Sequence, residues 1–410
     1  MLKPISISFA PNFEKDDAVL ALKLLLRRVS KKRQAYALHH IKKDIGEIFI
    51  SEHVFLFSSG RAALYYTLQA LGIGKEDEII LQGFTCVAVP NAIIWTGATP
   101  VFVDIDPKTY NIDIGLLKKK VTAKTKAIIV QHTFGIPANI NEIVAFAKKQ
   151  RIFVIEDCPH SLNGEVNGKK LGTFGDIAIL SFGRDKIVSS VFGGAVVTID
   201  PIIGKKLMES EENLVIAPTQ FINQQLVYLI VYSISMPLYQ LGLGKAFLWL
   251  SRRFGLLSRA VYDSEKKGKK PLFISYSFPS LLTPLLAHQI KKLDRYTIHR
   301  IEISNKYIKD LNLPLNPNQP YLRIPILVED KQKFLARLKK KGIHLGNWYR
   351  ATIDPPDSDY TLFNYQSCPT AEKLALHTVN LPTHINISEE NAQTIVAAIS
   401  PHIVRSIETL

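Results

Sequence analysis

The chain of 410 residues is poor in cysteine, and its three cysteines stand far apart in the sequence. Cys86, Cys158 and Cys368 show no CxxC spacing. An odd, sparse set of this kind argues against a disulfide framework and against a zinc site built from cysteine, and it favours a reducing compartment. The N-terminus also lacks the apolar segment of a signal peptide, so we expect a cytoplasmic protein.

Two nucleotide-binding motifs are missing as well. No GxGxxG sequence follows a predicted strand, and GxxxxGK[ST] does not occur. The sequence therefore gives little support for a dinucleotide-binding protein or a P-loop protein. With 47% hydrophobic and 21% charged residues, the chain is neither disordered nor fibrous. Its length exceeds what a single hydrophobic core usually supports, which predicts more than one domain or a large unit with an appendage.

Acidic residues are scarce relative to basic ones, and the imbalance is local. The formal net charge is +15, and Lys245–Arg300 alone contains twelve basic and three acidic residues. A local positive field favours an anionic partner such as a phosphorylated substrate, an acidic membrane surface or nucleic acid. Solvated basic faces that keep the protein soluble would explain the same charge.

Short apolar runs that alternate with helical stretches predict an α/β fold, in which helices flank a mostly parallel mixed sheet. The predicted strands are Val54–Phe57, Glu78–Leu81, Pro100–Val103, Ala127–Gln131, Phe153–Glu156, Asp176–Phe182 and Gly194–Thr198. Helical spacing of apolar residues also predicts a basic helix over 16–46 and a long helix over Leu285–Leu311. After that helix, strands and helices alternate again and indicate a small C-terminal α+β domain.

The expected organisation has four parts. They are an N-terminal basic helical segment (1–53), a large cofactor-binding domain (54–212), an apolar and basic insertion that returns to the large domain (213–284), and the long helix with the small domain (285–410).

Residues 213–244 carry no charge at all, yet they do not form a typical membrane span. Polar residues and Pro237 interrupt the apolar run, so no clean stretch of about 20 apolar residues remains. A buried helix pair or an interfacial element fits the pattern better. Leu226, Leu229, Ile230, Leu241, Leu243, Phe247, Leu248, Trp249 and Leu250 could form one apolar face beside a dense basic run.

Four short segments together carry the chemistry. Ser58–Leu64 joins a strand to a helix with small residues that allow a close approach to phosphate, and Asp157 ends an apolar strand. Ser181 lies at the end of the next strand, and Lys186 stands five residues after it. A Gly-Gly pair opens the following strand. Each alone has an ordinary structural explanation. In this order they suit pyridoxal 5′-phosphate, with a lysine for the Schiff base and a carboxylate for the pyridine nitrogen.

The chain resembles the DegT/DnrJ/StrS sugar-aminotransferase family, pyridoxal-phosphate enzymes of fold type I. The resemblance is nearly continuous from Ser58 to Thr198 and includes Gly97–Asp106 (GATPVFVDID) and Lys124–Ile129. It resumes from about Gln289 to the C-terminus.

The resemblance implies a role for each matching residue. Lys186 corresponds to the lysine that binds the cofactor and later moves the proton, and Asp157 to the acid that pairs with the pyridine nitrogen. His160 falls beside the cofactor's phenolic oxygen. The phosphate would be held by the Ser181 hydroxyl and by backbone amides at Gly60 and Arg61. Because Lys186 is present, the family's dehydratase branch, which has histidine there, is disfavoured.

The chain departs from the family where an aromatic residue usually stacks on the pyridine ring, since Cys86 follows Thr85 here. Either Cys86 packs against the ring with less contact area, or Phe84 compensates. Where many members have His-Tyr, this chain has Trp348-Tyr349. Substrate identity is therefore less constrained than cofactor identity.

From these observations we expect an aminotransferase that moves an amino group, from glutamate, onto a keto sugar attached to a nucleotide. The alternative is a catalytically altered regulatory or membrane-associated protein of the same fold that only binds the cofactor. We expect a homodimer, no bound metal and no nucleic-acid partner. The insertion adds a hypothesis of peripheral contact with an anionic membrane at its inner face.

Overall fold

The computed structural model describes residues 4–8 and 11–409. Its strands, in chain order, are β1 (Ile5–Ser6), β2 (His53–Phe57), β3 (Glu78–Gln82), β4 (Thr85–Cys86), β5 (Thr99–Val103), β6 (Thr125–Gln131), β7 (Phe153–Asp157), β8 (Glu165–Val166), β9 (Lys169–Lys170), β10 (Ile177–Ser181), β11 (Gly194–Thr198), β12 (Arg323–Leu327), β13 (Ile343–His344), β14 (Ile353–Asp354) and β15 (Thr378–Pro382).

The helices are α1 (Lys15–Leu25), α2 (Lys31–Phe49), α3 (Gly60–Ala70), α4 (Ala88–Ile94), α5 (Ile114–Lys120), α6 (Ile140–Gln150), α7 (Pro201–Glu212), α8 (Thr219–Ser235), α9 (Leu243–Arg253), α10 (Asp263–Lys266), α11 (Thr283–Ile290), α12 (Leu293–Leu311), α13 (Lys331–Lys340), α14 (Pro369–His377) and α15 (Glu389–Ile399).

The central sheet has seven strands in the order β2-β11-β10-β7-β6-β3-β5. Neighbours from β10 to β5 are parallel, whereas β11 runs antiparallel to both β10 and β2. These strands are apolar throughout because helices cover both faces of the sheet. Each predicted strand is a member of this sheet, and the predicted α/β fold with a mostly parallel mixed sheet is confirmed.

The register of the sheet brings polar residues to one edge. Asp157 at the end of β7 pairs with Gln131 at the end of β6 and with Ile179 in β10. Ser181 at the end of β10 lies opposite Gly194, the first residue of β11. The carboxyl edge of the parallel strands therefore collects the groups that the sequence placed at strand ends.

Two helix predictions were wrong in the same way, because each joined two helices into one. The predicted helix over 16–46 is α1 and α2, separated by a turn in which Arg27 has φ of +56°. Ser30 begins α2 by accepting a hydrogen bond from the Arg33 amide at 3.3 Å. The predicted helix Leu285–Leu311 is α11 and α12, which break at 291–292.

The C-terminal region builds a smaller unit around an antiparallel pair, β12 and β15, with α13 to α15 packed nearby. The N-terminal strand β1 reaches this unit and pairs in parallel with β13. The N-terminal segment therefore spans from the small unit back to the helices of the large one.

The insertion forms a helix pair, α8 and α9, and α8 ends at Ser235 shortly before Pro237. Leu226, Leu229 and Leu248 are buried in a core that also contains residues of α1 and α11, whereas Leu241 and Leu243 are exposed. The single apolar face predicted for this segment is wrong, since its residues divide between core and surface. Among the described residues, no helix has the length and apolarity that a membrane crossing requires.

Candidate active site

A cavity of about 900 Å³ opens at the carboxyl edge of the central sheet. The sequence-predicted site residues, which come from strand ends, a helix start and loops, all line it: Gly60, Arg61, Cys86, Asp157, His160, Ser181 and Lys186. The structure therefore brings together groups that are as far apart in sequence as Gly60 and Lys186.

One end of the cavity has the shape of an anion cradle. Ser59 caps α3 by accepting a hydrogen bond from the Ala62 amide at 3.2 Å, so the first helical amides, of Gly60 and Arg61, need acceptors outside the helix. A Cβ on Gly60 would lie 2.9 Å from the Ser181 Cβ, and one on Gly194 would lie 2.4 Å from the Ser59 carbonyl carbon. Both glycines are required because the backbone of α3 approaches β10 and β11 so closely.

The Arg61 side chain points away from this cradle. Its guanidinium pairs with buried Glu265, donates a hydrogen bond to the Ala260 carbonyl at 2.5 Å and lies over the Phe273 ring at 5.4 Å. The charge of the Arg61 side chain is thus paired with Glu265, and its backbone amide remains available to an anion.

Asp157 lies nearly buried at the floor of the cavity, with 9% of its surface exposed. Burial raises the pKa of Asp157 to about 6, and interaction with the nearby Lys186 offsets part of that rise. Within residues 4–8 and 11–409, no hydrogen-bond donor is seen on this carboxylate, so it can accept one from a ligand. Its neighbour Glu156 points to the other side and accepts amide hydrogen bonds from Gly172, Phe174 and Gly175.

Lys186 follows β10 on a short loop whose turn is closed by a hydrogen bond from its amide to the Gly183 carbonyl at 3.1 Å. Burial lowers the pKa of Lys186 to about 8, and the nearby Cys86 and Asp157 work in the opposite direction. Its Nζ lies 5.3 Å from the centre of the Trp348 ring. An amine held in this way reaches its reactive neutral form much closer to neutral pH than a surface lysine does.

His160 is buried in a stack of rings. Its imidazole is nearly parallel to Trp348 at 5.7 Å and to Phe134 at 6.2 Å. Burial lowers the pKa of His160 well below its usual value, so the ring is neutral. Its Nδ1 accepts a hydrogen bond from the Phe134 amide at 3.3 Å, which leaves the proton on Nε2 as a donor.

Of the two residues expected to contact the pyridine ring, the structure places Cys86 in the cavity. Phe84 lies outside the cavity lining and is fully buried, with its ring edge-to-face to Tyr349 at 5.3 Å. Its φ is +85°, and its side chain belongs to the core. Trp348 and Tyr349 add aromatic surface to the cavity wall.

Several further residues of the site were not predicted. Arg184, Tyr228, Tyr232 and Arg252 line the cavity, and Tyr228, Tyr232 and Arg252 belong to the insertion. Asn12 donates a hydrogen bond to the Lys186 carbonyl from the N-terminal segment. Local sequence patterns gave no signal for these residues because their contacts join segments far apart in the chain.

The donor set fits pyridoxal 5′-phosphate. The cradle of Gly60, Ser181 and Gly194 matches a phosphate, and the unpartnered Asp157 carboxylate matches a protonated ring nitrogen. The neutral His160 can donate to a phenolic oxygen, and Lys186 is the nearby amine.

Comparisons with known proteins identify the family of the chain. Residues 36–221 and 253–400 match the DegT/DnrJ/EryC1/StrS aminotransferase family. GDP-perosamine synthase from Escherichia coli O157:H7 is 35% identical over 354 residues, which cover 84% of this chain and 84% of that protein. A UDP-N-acetyl-3-dehydro-alpha-D-glucosamine 3-aminotransferase from Acidithiobacillus ferrooxidans is 29% identical and covers 83% of this chain and 82% of its own.

A solved structure shares the fold. The Bacillus subtilis protein ntda, solved with its cofactor PMP bound, superposes with a TM-score of 0.71 at 20% identity and covers 97% of this chain and 84% of its own. The family match leaves out residues 222–252, which contain most of α8 and nearly all of α9. On the matched residues, this chain belongs to the DegT/DnrJ/EryC1/StrS aminotransferase family and is an aminotransferase that uses pyridoxal 5′-phosphate.

Proposed function

We propose that the enzyme transfers an amino group from glutamate to a keto sugar carried on a nucleotide. The observation that carries the proposal is the convergence of Lys186, Asp157 and the glycine-lined cradle in one cavity that is also lined by several arginines. Relatives named for GDP- and UDP-linked sugars support the nucleotide. When bound, pyridoxal phosphate supplies the electron sink for breaking a bond at the substrate's nitrogen-bearing carbon.

In this proposal Lys186 is the group that moves a proton. Its Nζ lies in the same cavity as Asp157, and its lowered pKa of about 8 lets the amine both accept and return a proton near neutral pH. The surrounding Trp348 and Cys86 exclude water from one side of the amine. Proton transfer is thus directed to the substrate rather than to solvent.

Asp157 and His160 would hold the cofactor ring in place. Above pH 6 the Asp157 carboxylate is ionised and can keep a proton on the pyridine nitrogen. The Nε2–H of His160 would donate to the phenolic oxygen, and the ring stack fixes the direction of that hydrogen bond. Ser181 and the amides of Gly60 and Arg61 would bind the phosphate.

The test is a reconstitution in two stages. The purified protein loaded with pyridoxal phosphate is mixed with glutamate, and the loss of the cofactor's visible absorbance band is followed. The amino-loaded enzyme is then offered a panel of nucleotide-linked keto sugars, and amino sugars are detected by mass spectrometry. A band that no amino donor changes, together with no aminated sugar, would overturn the proposal.

We also propose that the protein is a homodimer, with a contact at the segment beside the cradle. Val215 hydrogen-bonds to the backbone of Ser275 and Ser277, and nearby Ile216 and Leu272 are 84% and 80% exposed. A second copy would bury this apolar surface next to the active site. Light scattering should give twice the chain mass of 46.0 kDa.

The matched variants for the dimer differ only in which exposed apolar pair they change. Ile216→Ser with Leu272→Ser should yield a monomer. Ile199→Ser with Ile202→Ser, which changes a pair exposed to 71% and 70% elsewhere on the surface, should stay dimeric. A wild-type monomer with full activity would contradict this assembly.

A separate surface, on α9, is proposed to contact an anionic membrane. Trp249 and Phe254 are 64% and 73% exposed, Lys245 stands on the same helix as Trp249, and residues 237–260 contain no acidic residue. Wild type should sediment with liposomes that contain acidic lipid. Trp249→Ser with Phe254→Ser should not, and negligible pelleting of wild type would overturn the idea.

A further inference from the structure

Residues 222–252 of the insertion, which the family match leaves out, contribute to one wall of the active-site cavity. Tyr228 and Tyr232 of α8 line the cavity, and so do Arg252 of α9 and the following residues 257–261. The family match stops at residue 221 and resumes at 253. This wall is therefore built in part by residues that the family match leaves out, namely Tyr228, Tyr232 and Arg252.

Arg184 joins this wall to the loop of the reactive lysine. It lies two residues before Lys186, and its guanidinium donates hydrogen bonds to the carbonyl and the hydroxyl of Ser258 at 2.9 and 2.8 Å. The guanidinium also lies over the Tyr228 ring at 4.6 Å. The Ser258 hydroxyl donates in turn to the Gln225 side chain on α8 at 2.6 Å. Arg184 is thus held in position by neutral groups, which do not compensate its positive charge.

Arg252 is held in a similar way by the next turn of α8. Its Nη2 donates a hydrogen bond to the Tyr232 hydroxyl at 3.1 Å, and the rings of Tyr228 and Tyr232 lie 4.4 Å apart. Because these tyrosines are four residues apart, they share one face of the helix, about one turn of 5.4 Å from each other. The two guanidiniums therefore contact neighbouring tyrosines on one face of α8.

These two arginines differ from the other basic residues of the cavity in having no carboxylate partner among the described residues. Across the described ranges, neither Arg184 nor Arg252 forms an ion pair with a carboxylate. The remaining basic residues of the wall do: Arg61 with Glu265, Lys266 with Asp357 and Asp263, Arg259 with Asp263, and Arg350 with Asp354. The half-buried Asp185 lies nearby, but its strongest charge interaction is with Arg323.

We propose that Arg184 and Arg252 bind the diphosphate ester of the sugar acceptor, with Tyr232 holding Arg252 in position. Guanidinium groups bind phosphate oxygens with paired, charge-assisted hydrogen bonds, and two of them match two adjacent phosphates. This inference rests on the proposed function, since it assigns the part of the cavity that recognises the acceptor. The insertion then determines acceptor specificity.

The experiment compares neighbouring arginines on α9. Arg252→Gln removes the charge that faces the cavity, whereas Arg253→Gln removes an exposed charge that does not line it. Inorganic pyrophosphate and UDP are titrated calorimetrically into the enzyme loaded with pyridoxal phosphate, so that the cradle at Gly60 is already filled. We expect the Kd for both probes to rise about tenfold or more in Arg252→Gln and to stay unchanged in Arg253→Gln.

A milder variant guards against misfolding as an explanation. Tyr232→Phe keeps the ring but loses the hydroxyl that holds Arg252, and the Kd should rise by a smaller factor. Equal Kd values for wild type and Arg252→Gln with both probes would overturn the subsite.

Failure of the subsite can be told apart from failure of the proposed function. The absorbance change with glutamate should be the same in wild type and Arg252→Gln, because the amino donor carries no diphosphate. Absence of that change in wild type counts against the proposed function, while the pyrophosphate titration still decides the subsite. A parallel titration with geranyl diphosphate separates the two sources of a diphosphate ester. Tighter UDP binding identifies a nucleotide, and tighter geranyl diphosphate binding identifies a lipid carrier.

Discussion

The side chain of Asn12 donates a hydrogen bond to the backbone carbonyl of Lys186, 174 positions later in the chain. The other end of the same amide accepts a hydrogen bond from buried Arg300 at 2.6 Å. Asn12 therefore links the loop of the reactive lysine to α12. The N-terminal segment, outside the central sheet, takes part in positioning the site.

Asn12→Ala should reduce both stability and the placement of Lys186. The substitution leaves the Arg300 guanidinium with an unpaired buried donor, which costs about 1–3 kcal/mol of the free energy of unfolding. It also frees the Lys186 loop, so kcat should fall while the KM for glutamate changes little. Chemical denaturation and steady-state kinetics measure the two effects.

The control for this variant is Asn386→Ala. Asn386 donates to the carbonyls of Pro11 and Phe13 and so holds the same segment without contacting Lys186. It should lose stability but retain kcat. A kcat equally low in both variants would show that Asn12 acts only through the fold.

Lys186→Ala should abolish transamination and leave the fold intact. The lysine is half-buried and its pKa is lowered to about 8, so its charge does not stabilise the folded protein, and its removal should not lower the free energy of unfolding. Single-turnover mixing with glutamate and a denaturation curve test both statements. Lys205→Ala, on the exposed side of α7, is the matched control. Turnover of Lys186→Ala at the wild-type rate would refute the assignment.

The sheet and most of the site could be predicted because each depends on short segments. A parallel strand buried on both faces must be a continuous apolar run, and the residues at its end meet those of its neighbours at one edge. Asp157, Ser181 and Lys186 were found on this basis together with the family resemblance, and the cavity contains all three.

The errors arose where tertiary contacts override local pattern. The apolar spacing of α1 continues into α2, and only the turn at Arg27 and the cap at Ser30 separate them. Phe84 stands close to the expected aromatic position, but its ring packs in the core against Phe134 and Tyr349. The wall formed by Tyr228 and Arg252 depends on how α8 and α9 pack into the shared core, which no local periodicity specifies.

The raised pKa of Asp157 predicts how stability depends on pH. The ordinary value is 3.8, and burial raises the folded value to about 6. Between these values the folded protein binds more protons at this group than the unfolded chain does. The contribution of the neutral acid is therefore fully present below pH 4 and is lost as pH rises through 6.

Asp157→Asn isolates this contribution in the cofactor-free protein. The free energy of unfolding of wild type relative to Asp157→Asn should fall by up to about 3 kcal/mol between pH 4 and pH 7. Urea denaturation at several pH values measures the difference. A difference that does not vary with pH, or that grows with it, would contradict the burial of this carboxylate.

Gly60→Ala should weaken binding of the cofactor through its phosphate. The added Cβ would lie 2.9 Å from the Ser181 Cβ and 3.2 Å from its hydroxyl, so α3 must move away from β10 and the cradle must widen. The Kd for pyridoxal 5′-phosphate should rise about tenfold or more, since charge-assisted hydrogen bonds to the phosphate are lost. Pyridoxal, which has no phosphate, should bind wild type and variant alike. Gly74→Ala is the matched control, because its Cβ meets only the Thr96 carbonyl oxygen at 3.7 Å. An equal rise in Kd for both ligands would show that the substitution disturbs the whole site rather than the phosphate cradle.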